Sequence, residues 1–264
     1  MATIPLGALL PPSADAAPSG ALPLPGAVLG PLPPSSALHA ALAAPTALLV
    51  TPPKSAFLAA LEDEDEAYLR ELAPLAQLEK VETRHVSSRE SAQLLFSLLG
   101  PGSGGPEKVE KPALIVCFDL GALFGGAGDG TDENADPAAS SAEGGEAGHG
   151  GNAADGASAA SYLQLVAAAL AAARALGAGL LVLEPGLSSL PVIAGKGDER
   201  SVAVADGLGW LFGPGAVARV RGEGEEYTLE LGDDAVRLRR RRCAAGEYAH
   251  PPGVDAGGWQ WEWV

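Results

Sequence analysis

Residues 111–125 read KPALIVCFDLGALFG. Ala113 to Cys117 are continuously apolar, Phe118 extends the run, and Asp119 ends it. An unbroken apolar run of this length reads as a strand buried on both faces, which is the habit of parallel sheets. The strand delivers a carboxylate at its C-terminal end. Similar runs lie on either side: GAVLG at 26–30, TALLVTPP at 46–53 and GLLVLEPG at 179–186. Helical patterns separate them. SSALHAALAA (35–44) reads as a helix capped by Ser35 or Ser36. The segment from Lys54 to Leu78 reads as a helix with an acidic turn, and 78–86 as a strand. SSRESAQLLFSLLG (87–100) reads as a helix with Ser88 and Ser91 as candidate caps and Gly100 as its stop. SYLQLVAAALAAARALG (161–177) is a strong helix ended by Gly177, and 201–213 reads as a helix weakened by Gly207 and Gly209. From Val217 the period changes to two, with turns expected at Gly222–Gly224 and Gly232–Asp234. WQWEWV closes the chain as a strand. Strands alternating with helices, followed by a meander, predict an α/β fold: a mostly parallel sheet flanked by helices and extended by antiparallel strands. There is no internal repeat.

The chain has 264 residues, of which 47% are hydrophobic, so one domain with a sizeable core is expected. Residues 1–25 are rich in Pro, Ala and Gly and read as a flexible tail. The body then spans 26–264. Within it, residues 126–158 are Gly-rich and carry only acidic charge, and they read as a disordered insertion. That segment holds much of the formal net charge of −16, which argues against bulk electrostatic binding to nucleic acid. Cys117 and Cys243 are too few for a disulfide framework and fit a reducing compartment, with nucleus expected and cytoplasm as the alternative. The opening MATIPLGALLPP lacks the basic region of a secretory signal. Arg174 and Glu184 interrupt the longest apolar stretches, so no membrane partner is expected.

A strand-end carboxylate such as Asp119 has a known use: in nucleotidases with a phosphate-binding loop it serves magnesium. The loop itself would have to lie at AVLGPLPPSSALHAAL (27–42), after a short strand and before a helix. Laying G-x-x-x-x-G-K-[ST] on Gly30 puts Ser35 at the second glycine, Ser36 at the lysine and Ala37 at the hydroxyl. No Lys or Arg precedes Lys54. Without the lysine the terminal phosphates lose their main charge partner, and Ala37 cannot hold magnesium. Pro31, Pro33 and Pro34 remove three backbone donors from a loop whose purpose is to donate them. No nucleotide cofactor, metal or ATPase activity is therefore expected, and Asp119 reads as the remnant of a nucleotide site.

The degenerate loop at 30–37, the Walker-B-like strand ending at Asp119, the helix and strand after it and the final meander resemble the RecA-like recombinase paralogues. The resemblance is to small divergent members: RecA-like subunits of Shu-type complexes and the SWIM-domain-associated paralogue. It covers roughly residues 26–264 without the acidic insertion. It implies a RecA-like fold of the P-loop class and a non-catalytic subunit of a recombination-mediator complex. The implied partners are another RecA-like or SWIM-type subunit, or the strand-exchange recombinase. The accessory RecA-like subunits of Elongator, which act in transfer-RNA modification, are similar too, and a degenerate ATPase is a third alternative. The stretch CFDLGALFG also resembles the nucleophile motif of haloacid-dehalogenase phosphatases, but Gly121 stands where that motif needs a second Asp.

Three further features admit more than one reading. RLRRRRC (237–243) is the one strongly basic segment. Arg237, Arg239, Arg240, Arg241 and Arg242 can contact single-stranded DNA phosphates, act in nuclear targeting, or guard an exposed edge strand. Trp259, Trp261 and Trp263 share one strand face and either stack on bases or cover the sheet. Phe57–Ala60 and Phe124–Ala127 match F-x-x-A, a short docking motif among recombinase-family subunits. Asp119 itself is either a metal ligand or a cap on the neighbouring turn.

Overall fold

The structure is a computed structural model, and it describes residues 2–10, 20–69, 79–100, 111–124, 158–187, 189–191, 201–242 and 259–264. In chain order the elements are β1 (Thr3–Pro5), β2 (Ala21–Pro23), β3 (Gly26–Leu29), α1 (Ser35–Leu42), β4 (Ala47–Thr51), α2 (Lys54–Leu69), β5 (Val81–His85), α3 (Arg89–Leu99) and β6 (Leu114–Phe118). A 3₁₀ turn at Leu120–Phe124 follows, then α4 (Ala159–Leu176), β7 (Gly179–Glu184), β8 (Ser189–Pro191), β9 (Ser201–Ala203) and α5 (Val204–Phe212). The chain closes with β10 (Val217–Glu223), β11 (Glu226–Leu231), β12 (Asp234–Arg242) and β13 (Trp259–Trp263).

One nine-stranded sheet organises the molecule, in the order β13-β12-β11-β10-β3-β7-β6-β4-β5. The six strands from β10 to β5 run parallel, and β10 to β13 pair antiparallel. This is the expected architecture: a mostly parallel sheet, flanked by helices, with a C-terminal antiparallel meander. The continuous apolar runs predicted as strands are β3, β4, β6 and β7, and all of their described interiors are buried. Both faces are covered, which is why these strands show no alternation. On one face α1 and α2 enclose Leu49, Val116, Phe118 and Leu181, together with Tyr227, Trp261 and Trp263 of the meander. On the other, α3, α4 and α5 enclose Ile115, Cys117, Leu180 and Val182. Helix α4 has the length and composition to cross a membrane, but here Tyr162, Leu165, Val166 and Ala169 turn its apolar side into that core.

Several local expectations hold. Ser88 and Ser91 form a reciprocal capping box at the start of α3, and Gly177 ends α4 in the left-handed region at φ 72°. The turns between β10, β11 and β12 fall where they were expected. Others need correction. The described parts of residues 1–25 are not a loose tail. β1 and β2 pair with each other, and Leu6, Leu9, Leu10 and Leu22 are fully buried against the α1 side of the sheet. Their leucines are spaced to line one packed turn, and the Pro/Ala-rich composition concealed that. Helix α1 is capped by Pro34, with no side-chain cap, and Ser35 and Ser36 lie inside it. Residues 201–203 form a strand paired with β8, and the helix begins only at Val204. The acidic insertion at 126–158 lies outside the described residues except for Ser158, whose side chain caps α4.

Candidate functional site

Residues 30–37, on which the phosphate-loop motif was laid, form the turn from β3 into α1 and its first helical residues. Gly30 has φ 107°, a conformation that favours glycine, and a Cβ there would run into the Val220 backbone of the adjacent β10. Its N–H donates to the Glu184 carbonyl at 2.9 Å. Three of the next four residues are prolines. The Ser36 N–H then donates to the Pro33 carbonyl at 3.0 Å, and the Ala37 N–H to the Pro34 carbonyl at 3.1 Å. These amides stand where a functional loop presents its donors to phosphate, and here they are already used. Ser35, Ser36 and Ala37 are each no more than 1% exposed. The side chain at the lysine position therefore points into protein. Among the described residues the Ser36 hydroxyl finds no hydrogen-bond partner. Two residues on, burial holds the His39 imidazole neutral by lowering its pKa to about 3, so it supplies no cation to the loop.

Asp119 sits at the C-terminal end of β6 with φ 52°, an uncommon backbone for a residue other than glycine. Its N–H donates to the Leu183 carbonyl at 2.8 Å, and its carbonyl accepts from Ala122 N–H at 3.2 Å. Burial raises the pKa of its carboxyl, while a hydrogen bond from the Ala122 N–H opposes the rise. Asp119 thus caps the 3₁₀ turn at Leu120–Phe124, the second of its two readings. Beside it stands a residue the sequence did not single out. Glu184 ends β7 and is 1% exposed. Its Oε2 accepts from the Gly121 N–H at 3.0 Å and its Oε1 from the Tyr162 hydroxyl at 2.8 Å. Burial, aided by the nearby Asp119 charge, pushes its pKa up to about 8, against the hydrogen bonds from Gly121, Tyr162 and Leu120. The same burial and the Glu184 charge raise the Cys117 thiol beyond the range in which it ionises, and Tyr162 is raised as well. Among the described residues no group of three or more His, Cys, Asp or Glu is placed to hold a metal. The one signal for Glu184 in the sequence was its place at the end of an apolar strand, the same place that drew attention to Asp119.

A cleft of about 370 Å³ opens beside this site, lined by Leu29 to Pro31, Pro185 to Leu187, Ala203, Ala205 and Arg219 to Arg221. Its two arginines are engaged: Arg219 reaches Asp206 at 3.4 Å and Arg221 reaches Glu230 at 3.4 Å.

The arginine run occupies β12, which is not an edge strand, because β13 covers it. The edge-guard reading is therefore wrong for β12. Pleating splits the run. Leu238 is buried on the α2 side, and Arg240 on the same side lies 6.0 Å from the Trp261 ring centroid. Arg237 and Arg239 are exposed, with Arg241 half-buried, on the other side, and Arg242 is the last residue of the strand. The register sets Glu226 and Glu262 opposite Arg239, on either side of it. Trp261 and Trp263 are each 3% exposed, so these two cover the sheet and are closed to base stacking. Phe57 is equally buried, against Phe118, which closes the first F-x-x-A match to docking. Ala127 of the second lies outside the described residues.

No protein-family model and no curated protein sequence matches the chain. Among solved structures it is similar to the crystal structure of the RadB recombinase, with a TM-score of 0.41 and 14% identity over 83% of this chain and 88% of that one.

Proposed function

We propose that the chain is a non-catalytic RecA-like subunit that works through protein–protein contacts in a recombination-mediator complex. The observation that carries the non-catalytic part is the spent loop. The Ser36 and Ala37 amides donate to Pro33 and Pro34, and the three prolines have no N–H to offer. Nucleotide binding would require breaking the first turn of α1, and the arginines that line the cleft beside the loop, Arg219 and Arg221, are already paired with Asp206 and Glu230. The carboxylates at the strand ends are occupied in capping a turn. Such a subunit keeps the fold as a docking surface. Contact with single-stranded DNA through Arg237, Arg239 and Arg241 is the lesser part of this reading, because Glu226 and Glu262 stand opposite Arg239 in register. Millimolar Mg-ATP is expected to leave the melting temperature unchanged, since any ligand of the native state raises it. A reproducible rise, abolished by Asp119→Ala, would sink the non-catalytic reading. Co-purification of the tagged chain is expected to yield a SWIM-type subunit or the strand-exchange recombinase. Recovery of Elongator subunits instead would move the chain to transfer-RNA modification.

A further inference from the structure

Glu184 joins three turns. Its side chain accepts from the Gly121 N–H in the turn after β6 and from the Tyr162 hydroxyl in the first turn of α4. Its main-chain carbonyl accepts from the Gly30 N–H, where β3 leads into α1. Pro185, Gly186 and Leu187, directly after it, line the cleft, whereas the buried Glu184 does not. Leu187 divides the two. A Cβ placed on Gly121 would fall 2.9 Å from the Glu184 Oε2, 2.9 Å from the Leu187 Cδ2 and 3.0 Å from the Leu187 Cβ. The leucine and the carboxyl oxygen thus converge on one point, which Gly121 leaves free. Leu187 is half-buried, with the carboxyl on one side of it and the cleft on the other.

The titratable groups that face the carboxyl are Cys117 in β6, Asp119 at the end of that strand and Tyr162 in α4, none of them a cation. β3 brings Leu29 and Gly30 beside Glu184, and the 3₁₀ turn brings main-chain amides. Among the described residues no countercharge pairs with it. A carboxyl in such a place is costly to ionise while it stays dry, and water reaching it removes that cost. We infer that Glu184 and Leu187 form a proton-linked latch on the cleft: with Leu187 in place the carboxyl keeps its proton, and when residues 185–187 move away the carboxyl is wetted and releases that proton to water. The balance is one proton per opening. Pro185 fixes its own φ, while Gly186 is exposed, with nothing within 4 Å of the place a side chain would take, so the movement has room there. The closed carboxyl titrates at about 8 and an open one at its ordinary 4.5. Between those values each pH unit makes opening tenfold more frequent, and above about 8 the gain stops.

The test is amide hydrogen exchange of the full chain, followed by NMR from pH 6 to 9 and expressed as protection, which divides out the base catalysis of exchange itself. The Gly121 N–H bonds to the carboxyl and is expected to exchange through latch opening. It should therefore exchange faster than the Val116 N–H, in the buried middle of β6 between β4 and β7. Gly121 protection is expected to fall tenfold per pH unit up to about 8 and to level off above it. In Glu184→Gln it should be independent of pH. Leu187→Ala uncovers the carboxyl while leaving both of its hydrogen-bond donors in place, and should move the levelling-off down by roughly one pH unit or more. A Gly121 amide that opens only together with Val116 would overturn the proposal. So would protection that is flat with pH in the wild type, a slope that survives Glu184→Gln, or a levelling-off that stays where it was in Leu187→Ala.

Discussion

Replacing Glu184 by Gln should change how stability depends on pH. In the unfolded chain this carboxyl titrates at its ordinary value of 4.5, and in the fold burial moves it to about 8. Between those values the folded state holds a proton that the unfolded state has released, so stability falls as pH rises through the window. Each pH unit is worth about 1.4 kcal/mol for a fully coupled group, which makes the loss from pH 5 to pH 8 on the order of 3–4 kcal/mol. Gln carries no titrating proton and abolishes this contribution. It keeps one acceptor for the Gly121 N–H or the Tyr162 hydroxyl but cannot accept from both, a cost of roughly 1 kcal/mol. Glu184→Gln is therefore expected to be less stable than wild type at pH 5 and more stable at pH 8, with the curves crossing in between. Asp119 is also raised by burial, and its slope is common to both proteins and cancels in the difference. Urea unfolding followed by tryptophan fluorescence at half-unit steps from pH 5 to 8.5 measures it. Parallel curves for the two proteins would show that Glu184 is charged in the fold and refute the reasoning.

Deleting residues 1–10 removes Leu6, Leu9 and Leu10, all fully buried. At about 1.5–3 kcal/mol per leucine, denaturant titration is expected to show a loss of at least about 4 kcal/mol, whereas a flexible tail would cost nothing. Gly30→Ala meets both the φ of 107° and the Val220 backbone, and a loss of roughly 1–3 kcal/mol is expected in the same assay. Replacing Arg237, Arg239 and Arg241 together by Ala should flatten the salt dependence of whatever single-stranded DNA binding the chain shows. Arg240→Ala should instead lower thermal stability through its contact with Trp261, and a DNA loss confined to Arg240→Ala would contradict this division.

The parallel sheet was legible because a strand buried on both faces leaves an unbroken apolar run, and β4, β6 and β7 each do. The meander was legible because Gly222 and Gly232 punctuate a change to period two. What escaped depends on partners distant in sequence. Leu6 to Leu10 sit in a composition typical of linkers, and only the core they meet makes them structural. The status of β12 turned on β13, which lies beyond residues 243–258, so no local pattern could show that the arginines are interior to the sheet. Glu184 meets Gly121 across 63 positions, and its place at the end of an apolar strand does not reveal that partner.

The two residues that matched the nucleotide-site pattern illustrate how such a match misleads. Gly30 and Asp119 both stand where a working site needs them, which by itself suggests residual chemistry. Each has a sufficient structural reason to be there. Gly30 is required by its φ and by the approach of β10, whose Val220 backbone leaves no room for a side chain. Asp119 holds a left-handed turn, ties β6 to β7 through Leu183, and caps the turn that follows. Neither reason involves phosphate. The residues of the motif that serve phosphate and nothing else are the lysine and the hydroxyl, and at those two positions this chain has Ser36 and Ala37, both buried. On the proposed non-catalytic reading, this pattern fits a sheet that serves docking rather than hydrolysis.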